Sequence, residues 1–416
     1  MNSTPDLKEV TITFFMNILQ VHNRYKIIGG EWTVLKQEYE LLKKHHNIDQ
    51  LIVENNEELK SLFRRLKLIF DTHYNRNAKN LMAKKLSKSN YDVMHVHNFF
   101  PLLSPSIFEA ARDAGIPSVM SLHNFRLIHP NGLMYHKGKI DERSLQGSAY
   151  QCVWDGVYRN SKLQTAVTAH MIEYHRKRKT WQRMPSAFIA LSEFSKEKFV
   201  QGGLPEDRIF IKPNFLTDPL DEFDDLQISE NKQNRFLYVG RLSNEKGIRD
   251  LIDCWMENSM DSRLEIAGDG PLKKELEKKT KNRKNIIWLG QQSKKEILRL
   301  LSESKGLIFP TRCYEGQPLI LLEAMSMGCP VITSRIGNPK NIIQHGENGL
   351  HFSPGNRREM YDQLLYLVRN SSVRMEMSRN ARKSYLEYYT PDHNYRRLMD
   401  IYEQAKQLEE KLVSGA

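Results

Sequence analysis

Short apolar runs alternate with longer, charged, amphipathic stretches along the whole 416-residue chain. In the first half the runs at 16–22, 49–53, 92–96, 117–122, 187–191 and 208–212 have the length and composition of buried strands. The stretches 31–45 and 56–89 between them read as helical. Residues 216–234, LTDPLDEFDDLQISENKQN, are acidic and lack apolar periodicity, so they read as a linker. The alternation then restarts at 235–240, 263–268, 285–290, 306–310 and 330–334, each run followed by a helical pattern. Strands that alternate with helices predict parallel sheets in an α/β fold. The expected organisation is a doubly wound, Rossmann-like domain at 16–215, the linker at 216–234, and a second such domain at 235–391. A polar helix at 392–416 is expected to pack back on the first domain. Residues 16–22 read as a complete opening strand with its own Met, which makes residues 1–15 an extension outside the core.

Composition narrows the class. The chain is 40% hydrophobic and 27% charged, as globular proteins are. No run of about 18 apolar residues is present to span a membrane. The run Val10–Val21 fails as a signal peptide, because Lys8 and Glu9 precede it, Thr11, Thr13 and Asn17 interrupt it, and no small-residue cleavage site follows. Cys152, Cys254, Cys313 and Cys329 form no metal-ligand spacing and read as reduced structural thiols.

The net charge of +12 is uneven: residues 1–213 carry 31 Lys and Arg against 21 Asp and Glu, an excess of ten. No nucleic-acid module signature accompanies it. The densest patch, HRKRKTWQR at 175–183, closes an amphipathic stretch containing Leu163, Val167, Met171, Tyr174 and Trp181. Contact with an anionic membrane surface and a merely solvated helix end both fit that pattern.

Ligands of open α/β sheets bind beyond the carboxyl ends of the strands, so the loops there hold the candidate chemistry. After the first strand, Gly29 and Gly30 allow close backbone approach or positive φ at a helix start, a cradle for phosphate. After the first strand of the second domain, Arg241 and Lys246 flank a loop that enters a helix near Gly247, which suits a diphosphate. His97 and His123 follow consecutive strands. The stretch EGQPLILLEAM, 315–325, ends a loop at Glu315 and Gly316 and starts a helix near Pro318 and Leu319. Helical rise would set Glu315 and Glu323 roughly 12 Å apart on neighbouring faces, too far for a glycosidase pair and suited to the two ends of one extended ligand.

In sequence order, YVGRLSNEKG, AGDGPL, WLGQ and EGQPLILLEAMSMGCPVITSRIGNPKNIIQHGENGL resemble the second domain of the family 4 retaining glycosyltransferases of GT-B fold. LQVHNRYKIIGGE, HNFFPLLSP, SLHNFRLIHPNG and FIALSEFSKEKFVQGGLPEDRIFIKPNF resemble the first domain of the branch that builds bacterial capsular, exo- and O-antigen polysaccharides. The resemblance implies transfer from a nucleotide sugar to an acceptor hydroxyl with retention, without a metal or other cofactor. A UDP-sugar is favoured and a GDP-sugar remains open. It implies that Arg241 and Lys246 neutralise the donor diphosphate, that Glu323 binds the ribose, and that Glu315, with Gly316, Gln317, Pro318 and Leu319 beside it, meets the donor sugar. By the same resemblance Gly29 and Gly30 lie over the phosphates, His123 contacts the sugar, and main chain near Gln291 meets the base. His97 and Asn124 are assigned to the acceptor side.

The acceptor is expected to be a glycan or polyprenyl-linked sugar. The location is expected to be cytoplasmic, at the inner face of an anionic membrane, with no nucleic-acid partner. The acidic run DEFDD falls in the linker and is not read as a cation-binding motif of GT-A enzymes. Relatives carry Cys where His129 stands and shortly after it, so no metal or disulfide of theirs is carried over. Asn341 stands where an acid is frequent.

A sugar-nucleotide epimerase, a phosphorylase and a non-catalytic basic-surface binder are the competing readings. Deletion of residues 1–15 is expected to leave folding and activity unchanged. A truncated protein that no longer unfolds cooperatively on heating would contradict that reading of the opening segment.

Overall fold

The computed structural model describes residues 15–25, 29–54 and 70–414. Most of the extension expected at 1–15 and the first part of the helical stretch at 56–89 therefore lie outside the described residues. The first domain contains β1 (Asn17–Arg24), β2 (Asn47–Glu54), β3 (Val93–Asn98) and β4 (Ser118–Ser121). A small hairpin follows, β5 (Tyr135–His136) and β6 (Lys139–Ile140), then β7 (Ala187–Ala190) and β8 (Ile209–Ile211). The second domain contains β9 (Gln233–Val239), β10 (Arg263–Ala267), β11 (Ile286–Gly290), β12 (Ser304–Phe309), β13 (Val331–Ser334) and β14 (Gly349–Phe352).

Each domain is built on a six-stranded parallel sheet, ordered β2-β1-β3-β4-β7-β8 and β11-β10-β9-β12-β13-β14. Their central strands are buried because helices cover both faces: β3, β4 and β7 are buried throughout. In each sheet the chain winds outward from its first strand, β1 or β9, first one way and then the other. The crevice lies where the direction reverses, between β1 and β3 and between β9 and β12. The hairpin and β14 were not expected from the pattern. They are two and four residues long, and β14 alternates little.

The domains are joined twice. Leu216 N–H donates to Tyr389 C=O at 3.0 Å, and Tyr385 Oη donates to Leu216 C=O at 2.9 Å. The chain leaving the first domain and the chain returning to it therefore run side by side. The linker contains a short helix, Pro219–Glu222, and its acids pair with Lys294 and Lys295 of the second domain. The last helix, Pro391–Ser414, lays Leu398, Met399, Ile401, Tyr402 and Ala405 on Ile18, Val93, Val119 and Ile189 of the first sheet.

One buried polar hub sits between that sheet and its covering helices. Glu38, on helix Gly30–Leu42, is fully buried. Its carboxylate meets Lys212 Nζ at 3.0 Å and accepts from Gln20 Nε2 at 3.3 Å. His95 Nδ1 and His97 Nε2 each lie 3.0 Å from it. Lys212 also donates to Asn394 Oδ1 of the last helix. Burial alone would raise the Glu38 carboxyl, but Lys212, His95 and His97 hold it well below its usual range.

Removal of one partner of such a pair leaves a buried charge uncompensated. Lys212→Met is therefore expected to cost about 3–5 kcal/mol in urea unfolding, part of it recovered by Glu38→Gln in the same chain. A loss below about 1 kcal/mol would show that the pair does not hold the domain.

Candidate active site

The loops after β9 and β12 meet because glycines let their backbones touch. Gly247 has φ +70°, and a Cβ there would sit 1.8 Å from the carbonyl oxygen of Pro310. Gly268 is as tight, with its would-be Cβ 2.0 Å from Gly240 O. Arg312 N–H donates to Glu245 C=O at 2.9 Å, and Thr311 Oγ1 lies 3.3 Å from the same carbonyl. The Arg312 side chain grips Asp250 on helix Ile248–Glu257.

This apposition brings Lys246 Nζ to 2.6 Å from Glu315 Oε1, across 69 residues of chain. Thr311 Oγ1 donates to the same oxygen at 3.0 Å, and Cys313 Sγ lies at 3.7 Å. Burial pulls the Lys246 ammonium down, but the Glu315 carboxylate outweighs it and the net shift is upward. Lys246 is therefore a firm cation with its partner already in place. Arg241 is exposed at the start of the same loop, whose backbone is held by Tyr238 Oη donating to Arg241 C=O at 2.9 Å.

As expected, Glu315 stands in the loop before the helix and Glu323 on the helix itself. That helix spans Leu319–Ser326, with Pro318 in extended conformation as its N-cap. Glu315 thus belongs to the loop, and helical rise does not set its distance from Glu323. Glu323 is half-buried on the helix, and burial pushes its carboxyl up to about 7. Gln317 does not face the crevice. Its Oε1 accepts from Asn214 N–H at 2.5 Å and its carbonyl from Asn214 Nδ2, which ties the helix start to the interdomain crossing. Pro318 and Leu319 are half-buried beside it, and Gln291 is exposed after β11.

The first domain meets this loop directly. A Cβ on Gly316 would lie 2.7 Å from the carbonyl oxygen of His123. Tyr314 packs on Phe194 and Phe125 and donates to Glu142 Oε1 at 2.9 Å. His123 is half-buried just after β4, whereas His97 is buried behind it, with Nδ1 3.1 Å from His123 Nε2. The acceptor-side assignment of His97 therefore does not stand as surface contact. Asn124 also turns inward, capping the turn Phe125–Leu127 through Arg126 N–H.

Gly29 is extended, at φ −109°, so the glycine pair is not there for positive φ. Instead a Cβ on Gly29 or Gly30 would meet nothing within 4 Å. Beside it stands a residue the sequence reading passed over. Glu31, in the first turn of helix Gly30–Leu42, accepts from Asn98 Nδ2 at 3.2 Å. Burial raises its carboxyl to about 7 against the pull of Arg126. The only signal in the sequence was its place directly after the glycine pair.

The apolar stripe behind the basic patch is largely interior. Met171 and Trp181 are buried, and Trp181 packs on Phe99, Phe108 and Phe188, while Leu163 is exposed. The patch therefore offers cations but no continuous apolar face. Among the described residues, two buried groups have metal-ligand composition: Glu38, His95 and His97, and His129, Asp141 and Cys152. In each the carboxylate is already engaged by a cation, Lys212 or Arg143. No helix among the described residues is long and apolar enough to cross a membrane.

Residues 29–217 match the family described as Glycosyltransferase Family 4, and residues 221–384 the family described as Glycosyl transferases group 1. The lipopolysaccharide 1,6-galactosyltransferase of Escherichia coli K12 is 28% identical over 190 residues, 44% of this chain and 52% of that protein. The alpha-D-kanosaminyltransferase of Streptomyces kanamyceticus is 30% identical over 151 residues, 35% of this chain and 39% of that protein. The chain thus spans about half or less of the curated relatives it matches. Anabaena HepE, solved in complex with UDP, superposes with a TM-score of 0.61 at 18% identity, covering 96% of this chain and all of that one. The likeness establishes the GT-B fold.

The raised carboxyl of Glu323 has a sign that can be measured. Its unfolded counterpart titrates near 4.3, so the folded state holds the extra proton between about 4.3 and 7. The stability this adds is complete at low pH and lost as pH rises through about 7. Glu323→Gln is therefore expected to gain melting temperature relative to the wild type from about pH 5 to 8. A gap that stays constant over that range would contradict the shift.

Proposed function

We propose a function for a chain whose first domain matches Glycosyltransferase Family 4 and whose second matches Glycosyl transferases group 1: it moves a sugar from a nucleotide-sugar donor to an acceptor hydroxyl in the crevice between the domains. The observation that carries the reading is the Lys246–Glu315 pair, a cation and a carboxylate at the switch point of the second sheet and facing His123 of the first domain. Donor diphosphate would draw Lys246 away from Glu315, with Arg241 as the second cation. That would free the carboxylate to meet the sugar ring and the positive charge that develops at its anomeric carbon. The two cations would also stabilise the diphosphate as it leaves. Glu323 lies on the helix behind and, as a carboxylate, accepts from the two vicinal ribose hydroxyls.

The retaining course and the preference for UDP over GDP follow from the family resemblance and stand as part of this proposal. HepE, of the same fold, was solved with UDP bound, which supports that preference. The galactosyltransferase relative supports a cell-surface glycan as the acceptor class. The excess of ten cations in the first 213 residues suits a polyprenyl-diphosphate-linked acceptor at the anionic inner face of a membrane. The cations would act there by attraction, since the apolar residues beneath them are mostly packed inside.

Lys246→Ala and Glu315→Ala are each expected to lower kcat/KM for transfer at least about a hundredfold with an unchanged circular-dichroism spectrum. Wild-type-like turnover in both would refute the assignment. In a thermal-shift panel of UDP-, GDP- and dTDP-sugars, the true donor should stand out, since about 2.7 kcal/mol is gained at a hundredfold excess over Kd. A panel in which none raises the melting temperature would count against any nucleotide-sugar reading.

A further inference from the structure

The structure assigns a role to two buried residues behind the crevice: we infer that Glu38 and His97 fix the tautomer of His123, so that His123 Nδ1 presents a lone pair to a hydroxyl of the donor sugar. This rests on the proposed function for the identity of the ligand, and on hydrogen-bond chemistry for the rest.

The chain of reasoning starts at Glu38. An ionised carboxylate only accepts, so the His97 Nε2 that lies 3.0 Å from Glu38 Oε1 carries the proton. The carboxylate is ionised because Lys212 meets its other oxygen at 3.0 Å and Gln20 supplies a further donor. We take His97 to carry a single proton, the one held at Nε2, so that its lone pair lies at Nδ1. That atom lies 3.1 Å from His123 Nε2. The two ring planes are inclined by only 17° with centroids 5.3 Å apart, so the rings meet edge to edge, in line for a hydrogen bond. His123 Nε2 must then be the donor. Burial, above all, holds the His123 imidazole well below its ordinary range, which leaves it uncharged. Its remaining nitrogen, Nδ1, is left as an acceptor.

The position of His123 gives that acceptor a use. The residue follows β4 directly, and its own carbonyl lies under Gly316, next to the Glu315 that pairs with Lys246. A sugar attached to a diphosphate at Lys246 would lie between Glu315 and His123. The opposite tautomer would offer an N–H instead and would favour an oxygen without a hydrogen to give. His97 and Glu38 are thus positioning residues, and the last helix locks them from behind. Tyr402 Oη lies 2.8 Å from His95 Nδ1, and Asn394 Oδ1 accepts from Lys212.

The test is the tautomer itself, read from long-range proton–nitrogen correlations of 15N-histidine-labelled protein and assigned by single-residue variants. His97 and His123 are both expected to be protonated at Nε2 in the wild type. His97→Phe should convert His123 to a mixture of tautomers and lower kcat roughly tenfold or more, with KM for the nucleotide sugar changed less than about twofold. His97→Gln, whose amide donates at one end and accepts at the other, should restore part of both. A wild-type His123 protonated at Nδ1 or at both nitrogens, or a tautomer unmoved in His97→Phe, would overturn the inference. If His97→Phe does not fold, the wild-type spectrum alone decides. The tautomer is independent of turnover, so a protein with the expected pattern that transfers no sugar would refute the proposed function alone.

Discussion

A carboxylate sealed away from water must be neutralised where it lies, and in this protein that requirement falls on Glu38. Its partners come from β1, from β3, from the residue just after β8 and, through Lys212, from the last helix. The last helix belongs to the chain that has already built the second domain and crossed back. One buried charge therefore makes the first domain complete only once the second is in place. It also reaches the crevice, because His97 stands between Glu38 and His123.

The second domain solves a different problem. Its two functional loops are separated by a whole βαβ half of the sheet, and ordinary side chains would keep them apart. Gly247 against Pro310 removes that obstacle, so the strand order of the sheet becomes an arrangement of charges. Lys246 and Glu315 then satisfy each other in the absence of ligand, which keeps both ordered and leaves neither charge uncompensated. Under the proposed function a diphosphate would compete for the lysine with two negative groups in place of one, and that exchange would couple binding to the release of Glu315.

Much of this was legible in the sequence because buried parallel strands are rich in apolar residues. Runs such as MHVH and LYVG marked β3 and β9, and the end of β9 marked the loop that carries Arg241 and Lys246, whereas His97 falls within β3 itself. What was not legible depended on contacts distant in sequence. Glu38 is one of three acids in its helix, with Glu31 and Glu40, and nothing in the sequence marks it as the one that is fully buried. Gln317 sits inside a motif rich in crevice residues, yet Asn214, 103 residues earlier, captures its side chain. Trp181 beside a run of cations resembled a membrane-facing residue, but the helix turns it into an aromatic core. Helical rise applies only from Leu319 onward, because Pro318 caps the helix and Glu315 lies in the loop before it.

The central claim is that the charges at the ends of β9 and β12 recognise a diphosphate. Calorimetric titration of the wild type and of Lys246→Ala with uridine and with UDP tests it most directly, because the difference between the two ligands isolates the diphosphate. The account predicts that UDP binds the wild type at least about tenfold more tightly than uridine, and that most of this advantage disappears in the variant while uridine binding does not change. Equal affinity of the wild type for the two ligands, or an undiminished advantage in Lys246→Ala, would contradict it.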